Sequence, residues 1–357
     1  MGFYYEKVVR PVLFRMDPEK AHDLGVTALD YLGRVRPLCR MMEWWNLVEP
    51  PRPIKVFGLE FPNAVGLAAG MDKNGRFWRA GPGLGFGHIE IGTVTYRQQP
   101  GNERPRVFRY PEHGAIINRM GFNNEGAEAI ASRLRQQLGG GGGKTRRIPL
   151  GINIGKSRIV PLDQAVDDYL KSFRSLVDYA DYMVVNVSSP NTRDLRKLQA
   201  EDQLDSLLAE LCATNLSRAR KLGQQPTPLL LKIAPDLSFR EIDHILETIE
   251  RRELNGIVAT NTTVERPQPM HRVRESGGLS GAPLHRRSLQ VVNYIHRCTG
   301  GRLPIIGVGG ISGPETAGAM MDAGATLVQV YSGMVYKGPF VAKGIARALA
   351  PRQSNWI

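Results

Sequence analysis

The densest cluster of potentially reactive groups in this 357-residue chain is N-V-S-S-P-N-T at positions 186–192. It follows an apolar run, 182–185, that reads as a fully buried strand of a parallel sheet. Pro190 keeps that strand from continuing. A strand-to-helix turn needs one or two polar residues for its bend and cap. Here two amides (Asn186, Asn191) and two hydroxyls (Ser188, Ser189) exceed that need. They stand at the carboxyl end of a strand, where α/β proteins place their chemistry. Other short apolar runs end in Gly70-Met71-Asp72-Lys73, Thr93, Asn153, Lys232, Thr260-Asn261-Thr262, Gly309-Gly310 and Tyr331-Ser332. Any one of these alone is an ordinary cap or turn. The full set is harder to explain that way.

The residue types narrow the chemistry. Bare backbone at 307–310 and 331–333 suits a phosphate held by N–H groups. A dinucleotide fingerprint competes, but 307–313 lacks its full spacing and no acidic residue ends the next strand to take a ribose. A monophosphate-bearing cofactor suits better. Lys73 and Lys232 would be costly to bury without a partner. A phosphate, a carboxylate or a reduced anionic flavin ring would satisfy them, or their amines snorkel to the rim. Asn118, in N-R-M-G-F, joins Asn186, Asn191 and Asn261 as neutral groups that both donate and accept. Such a set suits a small planar ligand with imide edges and a carboxylate. No His, Cys, Asp or Glu cluster has metal-ligand spacing, so no metal site is expected.

The elements that must position these groups are short strands alternating with helical stretches. Candidate strands at 64–69, 88–93, 150–154, 182–187, 229–233, 256–260, 304–308 and 327–331 point to an α/β fold, a (β/α)₈ TIM barrel, over 51–357. The polyglycine run 139–143 reads as a surface loop without chemistry. Residues 1–50 differ in character and form a separate helical segment. Asp17-Pro18-Glu19 is a helix start, and Ala21, Leu24, Gly25, Ala28, Leu29 and Leu32 then form one apolar stripe. A second short helix, 38–47, carries Met41, Met42, Trp44 and Trp45, with Arg36 and Arg40 nearby. It reads either as an interfacial membrane helix or as half of a helical hairpin capping the main domain. The run P-P-R-P at 50–53 is a stiff linker.

Composition sets the outer limits. A net charge of +13 favours polyanionic partners, either nucleic acid or anionic lipid, and also fits a soluble basic enzyme. Three cysteines without C-x-x-C spacing fit a reducing compartment. No apolar run reaches the roughly 18 residues of a spanning helix. Glu6, Lys7 and Arg10 interrupt any signal-peptide core, and Glu6 stands where myristoylation requires Ser or Thr.

Seven motifs then stand together: A-A-G-M-D-K-N-G (68–75), E-I-G-T-V-T (90–95), N-R-M-G-F-N-N (118–124), N-V-S-S-P-N-T (186–192), A-T-N-T-T (259–263), G-G-L-S-G-A-P-L (277–284) and I-I-G-V-G-G-I (305–311). In this order they strongly resemble the quinone-linked, membrane-associated class 2 dihydroorotate dehydrogenases, and the similarity runs over essentially the whole chain. The polyglycine run and Met71, where an aliphatic residue is common, are the small departures.

The resemblance implies FMN as cofactor, held by Ala69, Gly70, Met71, Asp72, Lys73, Thr93, Asn153, Asn186, Lys232, Thr260, Gly281, Gly310, Tyr331 and Ser332. It implies dihydroorotate, the precursor of orotate, bound by Lys73, Asn118, Arg119, Met120, Gly121, Phe122, Asn186, Asn191, Asn261 and Thr262. Ser189 matches the catalytic base, where soluble class 1 enzymes carry cysteine. It would take a proton from C5 of dihydroorotate while hydride leaves C6 for the flavin, with Thr192 and Phe122 in the proton relay. A serine hydroxyl is a weak base, so the site must be dry and oriented. Lys232 would stabilise charge developing on the flavin. His22 and Arg109 match quinone contacts at the mouth of a tunnel formed by the N-terminal helices. The positive charge and Trp44/Trp45 then become a docking surface for anionic lipid. The implied protein is a peripheral enzyme of pyrimidine biosynthesis, a monomer on the cytoplasmic face of a bacterial inner membrane. A flavin barrel acting on RNA uridines is the rival. It would be expected to carry a cysteine in the substrate loop and a C-terminal helical RNA-binding domain, and neither is visible, so no nucleic-acid partner is expected.

Overall fold

The computed structural model describes residues 2–46, 53–139, 146–192 and 194–351. Eight parallel strands close into a barrel: β1 (Val65–Leu67), β2 (His88–Val94), β3 (Leu150–Ile154), β4 (Tyr182–Asn186), β5 (Leu229–Ile233), β6 (Gly256–Ala259), β7 (Ile305–Val308) and β8 (Leu327–Val330). Neighbours follow chain order, and β8 closes on β1 with Val328 opposite Val65. Each strand is an Ile-, Val- or Leu-rich run because helices cover the outside while side chains fill the inside. All seven residues of β2 are buried. The helices are amphipathic in turn. Phe239–Arg251 opens with a capping box, in which Ser238 and Glu241 each satisfy the other's backbone N–H.

The amino ends of the strands are plugged. A hairpin, Ile54–Val56 paired with Leu59–Phe61, lays Phe57 and Phe61 against Tyr182, with ring centroids 6.4 and 6.5 Å away. Phe61 also meets His88 edge-on at 5.4 Å. Gly66 and Gly151 leave room for these rings. A Cβ on Gly66 would come within 2.0 Å of His88, and one on Gly151 within 2.2 Å of Tyr182. Small residues facing large ones let a narrow barrel fill without voids.

Two features over the carboxyl ends lie outside the sequence expectation. The first is a three-stranded antiparallel sheet, Val107–Tyr110, Ala115–Asn118 and Gly278–Gly281, with Ala115–Asn118 in the middle. It has its own small core of Ala115, Ile117, Met270 and Leu279. The second is helical structure from Gly2 to Arg15, with a π-helical middle turn at Tyr5–Val9. It docks on the helix after β8: Tyr5 Oη donates to Val335 O (2.8 Å) and Arg10 to Tyr336 O (3.0 Å).

The expected N-terminal helices are present. Pro18–Arg34 begins where Asp17 Oδ1 accepts the N–H groups of Glu19 and Lys20, both at 3.0 Å. Arg36–Asn46 starts two residues earlier than expected and runs beside the β1–β2 connection, where Asn46 donates to Gly83 O. Its outer face leaves Trp44 and Trp45 75% and 60% exposed. No helix among the described residues is long and apolar enough to cross a membrane. The expected linker at 50–53 and polyglycine loop at 139–143 fall, apart from Pro53 and Gly139, outside the described residues.

Candidate active site

The strand ends converge on one pocket at the mouth of the barrel. It is lined by Ala69, Gly70, Lys73, Thr93, Asn118, Met120, Gly121, Phe122, Asn186, Ser189, Asn191, Lys232, Thr260, Asn261, Thr262, Gly281, Gly310, Tyr331 and Ser332. The parallel register is what brings side chains so distant in sequence to one level. Asn186, the last residue of β4, donates from Nδ2 to Thr93 Oγ1 (3.0 Å) and Asn153 Oδ1 (3.1 Å). Its Oδ1 accepts from Ser188 N (3.1 Å) and Ser188 Oγ (2.9 Å). Asn261 Nδ2 reaches the same Ser188 Oγ at 2.9 Å. Each amide is thus oriented by its neighbours, which fixes O against N.

Lys232 finds a partner inside the protein. Its Nζ lies 3.6 Å from Glu90 Oε1, with both side chains buried. Glu90 also accepts from Asn153 Nδ2 and Gln329 Nε2, each at 2.8 Å. A carboxylate is among the partners expected for this lysine, and the protein itself supplies one. The signal was an acid inside the fully buried strand H-I-E-I-G-T-V, which belongs there only when paired. Lys73 is half-buried, and desolvation pulls its ammonium down to about 8.

The 186–192 loop folds back over the pocket. Asn191 N donates to Ser189 Oγ (3.3 Å), and Asn191 Nδ2 reaches Asn118 Oδ1 (3.3 Å). Asn102 Nδ2 ties the loop to the N-R-M-G-F segment through Asn191 O (3.1 Å) and Arg119 O (2.9 Å). Ser189 is buried and faces the pocket, while Thr192 Oγ1 is buried with no protein partner. Phe122, at φ 54°, rests its ring near Thr93 and Gly155.

The opposite wall is bare backbone. Gly310 has φ 69°, and a Cβ there would lie 2.5 Å from His285 Cβ and 2.8 Å from Gly281 O. No larger residue fits that cradle. With Ser332 and Gly333 opening the next helix, it suits a phosphate. A buried amine, an oriented amide fan and this cradle fit a planar heterocycle with a phosphate tail, as FMN is.

Four expected contacts stand back from the pocket. Met71 and Asp72 line the neighbouring cavity instead, and Asp72 accepts the N–H groups of Arg76 (2.8 Å), Phe77 and Trp78 (2.9 Å each), so its carboxylate staples the loop after β1. Arg119 turns outward to Pro105 O (2.8 Å) and stacks over Phe108 at 4.7 Å. Asn153 lies beneath the pocket and acts through Thr93 and Asn186. Residues not anticipated there include Ser280, Leu284 and Gln329.

A second cavity, about 860 Å³, lies between the N-terminal helices and the barrel rim. It is mainly apolar and shares Lys73, Asn118, Met120 and Tyr331 with the first. His22 and Arg109 both line it. Burial, then the charges of Lys73 and Arg76, hold the His22 imidazole down at about 3, so it is neutral at physiological pH. Arg109 donates to Leu13 O (3.1 Å), Phe14 O (3.3 Å) and Met16 O (2.5 Å), closing the carboxyl end of Arg10–Arg15. It walls the cavity and pins its lid at once.

This architecture has known relatives. The dihydroorotate dehydrogenase family model matches residues 53–352. Proteins named dihydroorotate dehydrogenase (quinone) from Chloroflexus aurantiacus and Salinispora arenicola are 48% and 50% identical, over 98% and 96% of this chain and 96% and 98% of theirs. Among solved structures, Eimeria tenella DHODH with ferulenol superposes with a TM-score of 0.82 at 34% identity, over 95% of this chain and 93% of that one. Its ligand-free form gives 0.82 at 35%. The chain belongs to the dihydroorotate dehydrogenase family.

Proposed function

We propose that this protein is a quinone-dependent dihydroorotate dehydrogenase carrying one FMN at the mouth of the barrel, and that it works as a monomer docked on the cytoplasmic face of a bacterial inner membrane. It oxidises dihydroorotate to orotate in pyrimidine biosynthesis and delivers the electrons to quinone. The observation that carries this reading is the pair of abutting chambers. One is the more polar of the two and lined by amides; the other is mainly apolar and opens among the N-terminal helices.

FMN, when bound, supplies the hydride acceptor and the electron carrier between chambers. Lys232 and the glycine cradle at Gly310 would hold its two ends, with Ala69, Gly70, Thr260, Gly281, Tyr331 and Ser332 around it. Lys73, Asn118, Asn191 and Asn261 would bind and orient dihydroorotate. Ser189 Oγ takes the proton from C5. The buried loop around it excludes water, and in this scheme the buried Thr192 Oγ1, which has no protein partner, receives that proton, with Phe122 in the relay. At the other chamber, neutral His22 offers a hydrogen bond to a quinone carbonyl. Arg109 lines the same space.

Anaerobic addition of dihydroorotate to the purified yellow protein tests the whole reading. Flavin absorbance should bleach and then recover with a soluble quinone analogue, but not with fumarate or NAD⁺. Bleaching without recovery by quinone would overturn the role given to residues 2–46; no flavin at all would overturn the cofactor.

A further inference from the structure

One carboxylate beneath the pocket has no part in the scheme above. Glu90 sits mid-strand in β2 and is wholly inaccessible to solvent. A lone carboxylate there would be very costly. Three groups from three other strands meet it: Asn153 from β3, Gln329 from β8 and Lys232 from β5. Lys232 and Gln329 also line the pocket, and Asn153 orients Thr93 and Asn186 within it. A further titratable neighbour is the buried Tyr182 phenol, which burial and then the Glu90 charge keep protonated. These connections from Glu90 lead up to the pocket or are neutral.

We infer that Glu90 is a positioning residue that sets the redox potential of the bound flavin, by acting as fixed counter-charge to Lys232. The inference rests on the FMN reading. In a water-poor interior, a cation 3.6 Å from an anion presents a dipole, and its field falls off much faster than that of a free charge. A bare ammonium facing the ring would favour the reduced, more negative cofactor strongly. A compensated one favours it moderately. Such moderation suits a cofactor that must accept hydride and then release both electrons. A tie that merely holds β2, β3, β5 and β8 together would need the hydrogen bonds but not the charge.

Glu90→Gln separates the two. It is nearly isosteric and removes the charge. The FMN content of wild type is measured first; its absence would defeat the FMN reading rather than this inference. With flavin bound, dye-equilibration potentiometry on Glu90→Gln should show the reduced-to-oxidised ratio at a fixed potential rising at least tenfold, about 30 mV for a two-electron couple. Reduction by dihydroorotate should quicken and reoxidation by quinone should slow. A purely structural role would slow both. Glu90→Asp keeps the charge but withdraws it by one methylene, and should shift the potential the same way by less. An unchanged potential in both variants would overturn the inference. So would loss of FMN from both, which would assign Glu90 to shape.

Discussion

At the scale of single residues, the site is built from groups that are weak in isolation and effective when aimed. Ser189 is the clearest case. A hydroxyl is a poor base, so in the role proposed for it the loop would have to hold it against the substrate and give its proton an exit. Ser189→Ala is expected to keep FMN at one per chain and slow anaerobic flavin reduction by roughly 10²–10⁴-fold; near-normal stopped-flow rates would refute the assignment. Lys73 gives a pH prediction. Its ammonium is held down to about 8 by desolvation, so it is charged at pH 7 and loses its proton as pH rises through that value. A bound carboxylate favours the charged form, so binding takes up a proton above about pH 8. Affinity for orotate, read from its perturbation of the flavin spectrum, should be flat from pH 6 to 7.5 and fall toward pH 9. A flat profile across that whole range would remove Lys73 from carboxylate binding. The amides and hydroxyls of the pocket were legible in sequence because polar residues stood at the ends of apolar runs. The Glu90–Lys232 pair was not, because which acid meets which base across a barrel depends on tilt and register, and neither is written in a local window.

Elements show the same division. The eight barrel strands are readable because each is a short apolar run that a buried parallel strand requires. The antiparallel sheet was missed because its central pairing joins Ala115–Asn118 to Gly278–Gly281, a contact remote in sequence. Half of that signal was local: V-F-R-Y and A-I-I-N flank P-E-H-G, with Gly114 at φ 55°, a hairpin turn. The segment leading into this sheet couples the N-terminal helices to the 186–192 loop. Arg106 forms a two-pronged ion pair with Glu19 of Pro18–Arg34, at 2.9 and 3.0 Å, and donates to Pro100 O and Asn102 O. Asn102 in turn holds the 186–192 loop. Glu19→Ala would leave the buried Arg106 without its main counter-charge, at a cost of about 3 kcal/mol. Thermal unfolding should register that loss, and the Michaelis constant for quinone should rise more than that for dihydroorotate. Equal changes in both would mean that the helix is not a separate functional unit.

For the whole molecule, charge and apolar exposure point the same way. The chain carries +13; Phe3 and Tyr31 are exposed on the N-terminal helices that roof the apolar chamber, and Met41, Trp44 and Trp45 on the helix that follows them. Replacing Trp44 and Trp45 together by Ser should weaken sedimentation with anionic vesicles about tenfold, the effect of removing one or two partly buried rings. Turnover with a water-soluble quinone should be unaffected, and unchanged vesicle binding would place the docking face elsewhere. The aromatic floor formed by Phe57, Phe61, His88 and Tyr182 adds a constraint of another kind. It makes the barrel a cup, not a pipe. A cup that serves one guest from water and another from oil must seat both at a single brim. The oily seat lies to one side, against the loops after β1 and β8 and the N-terminal helices, while the amide-lined one reaches across the brim from β1 to β8. On the proposed docking, only the side of the brim that carries the oily seat would face lipid, and a molecule capsized onto its floor would leave the oily guest stranded.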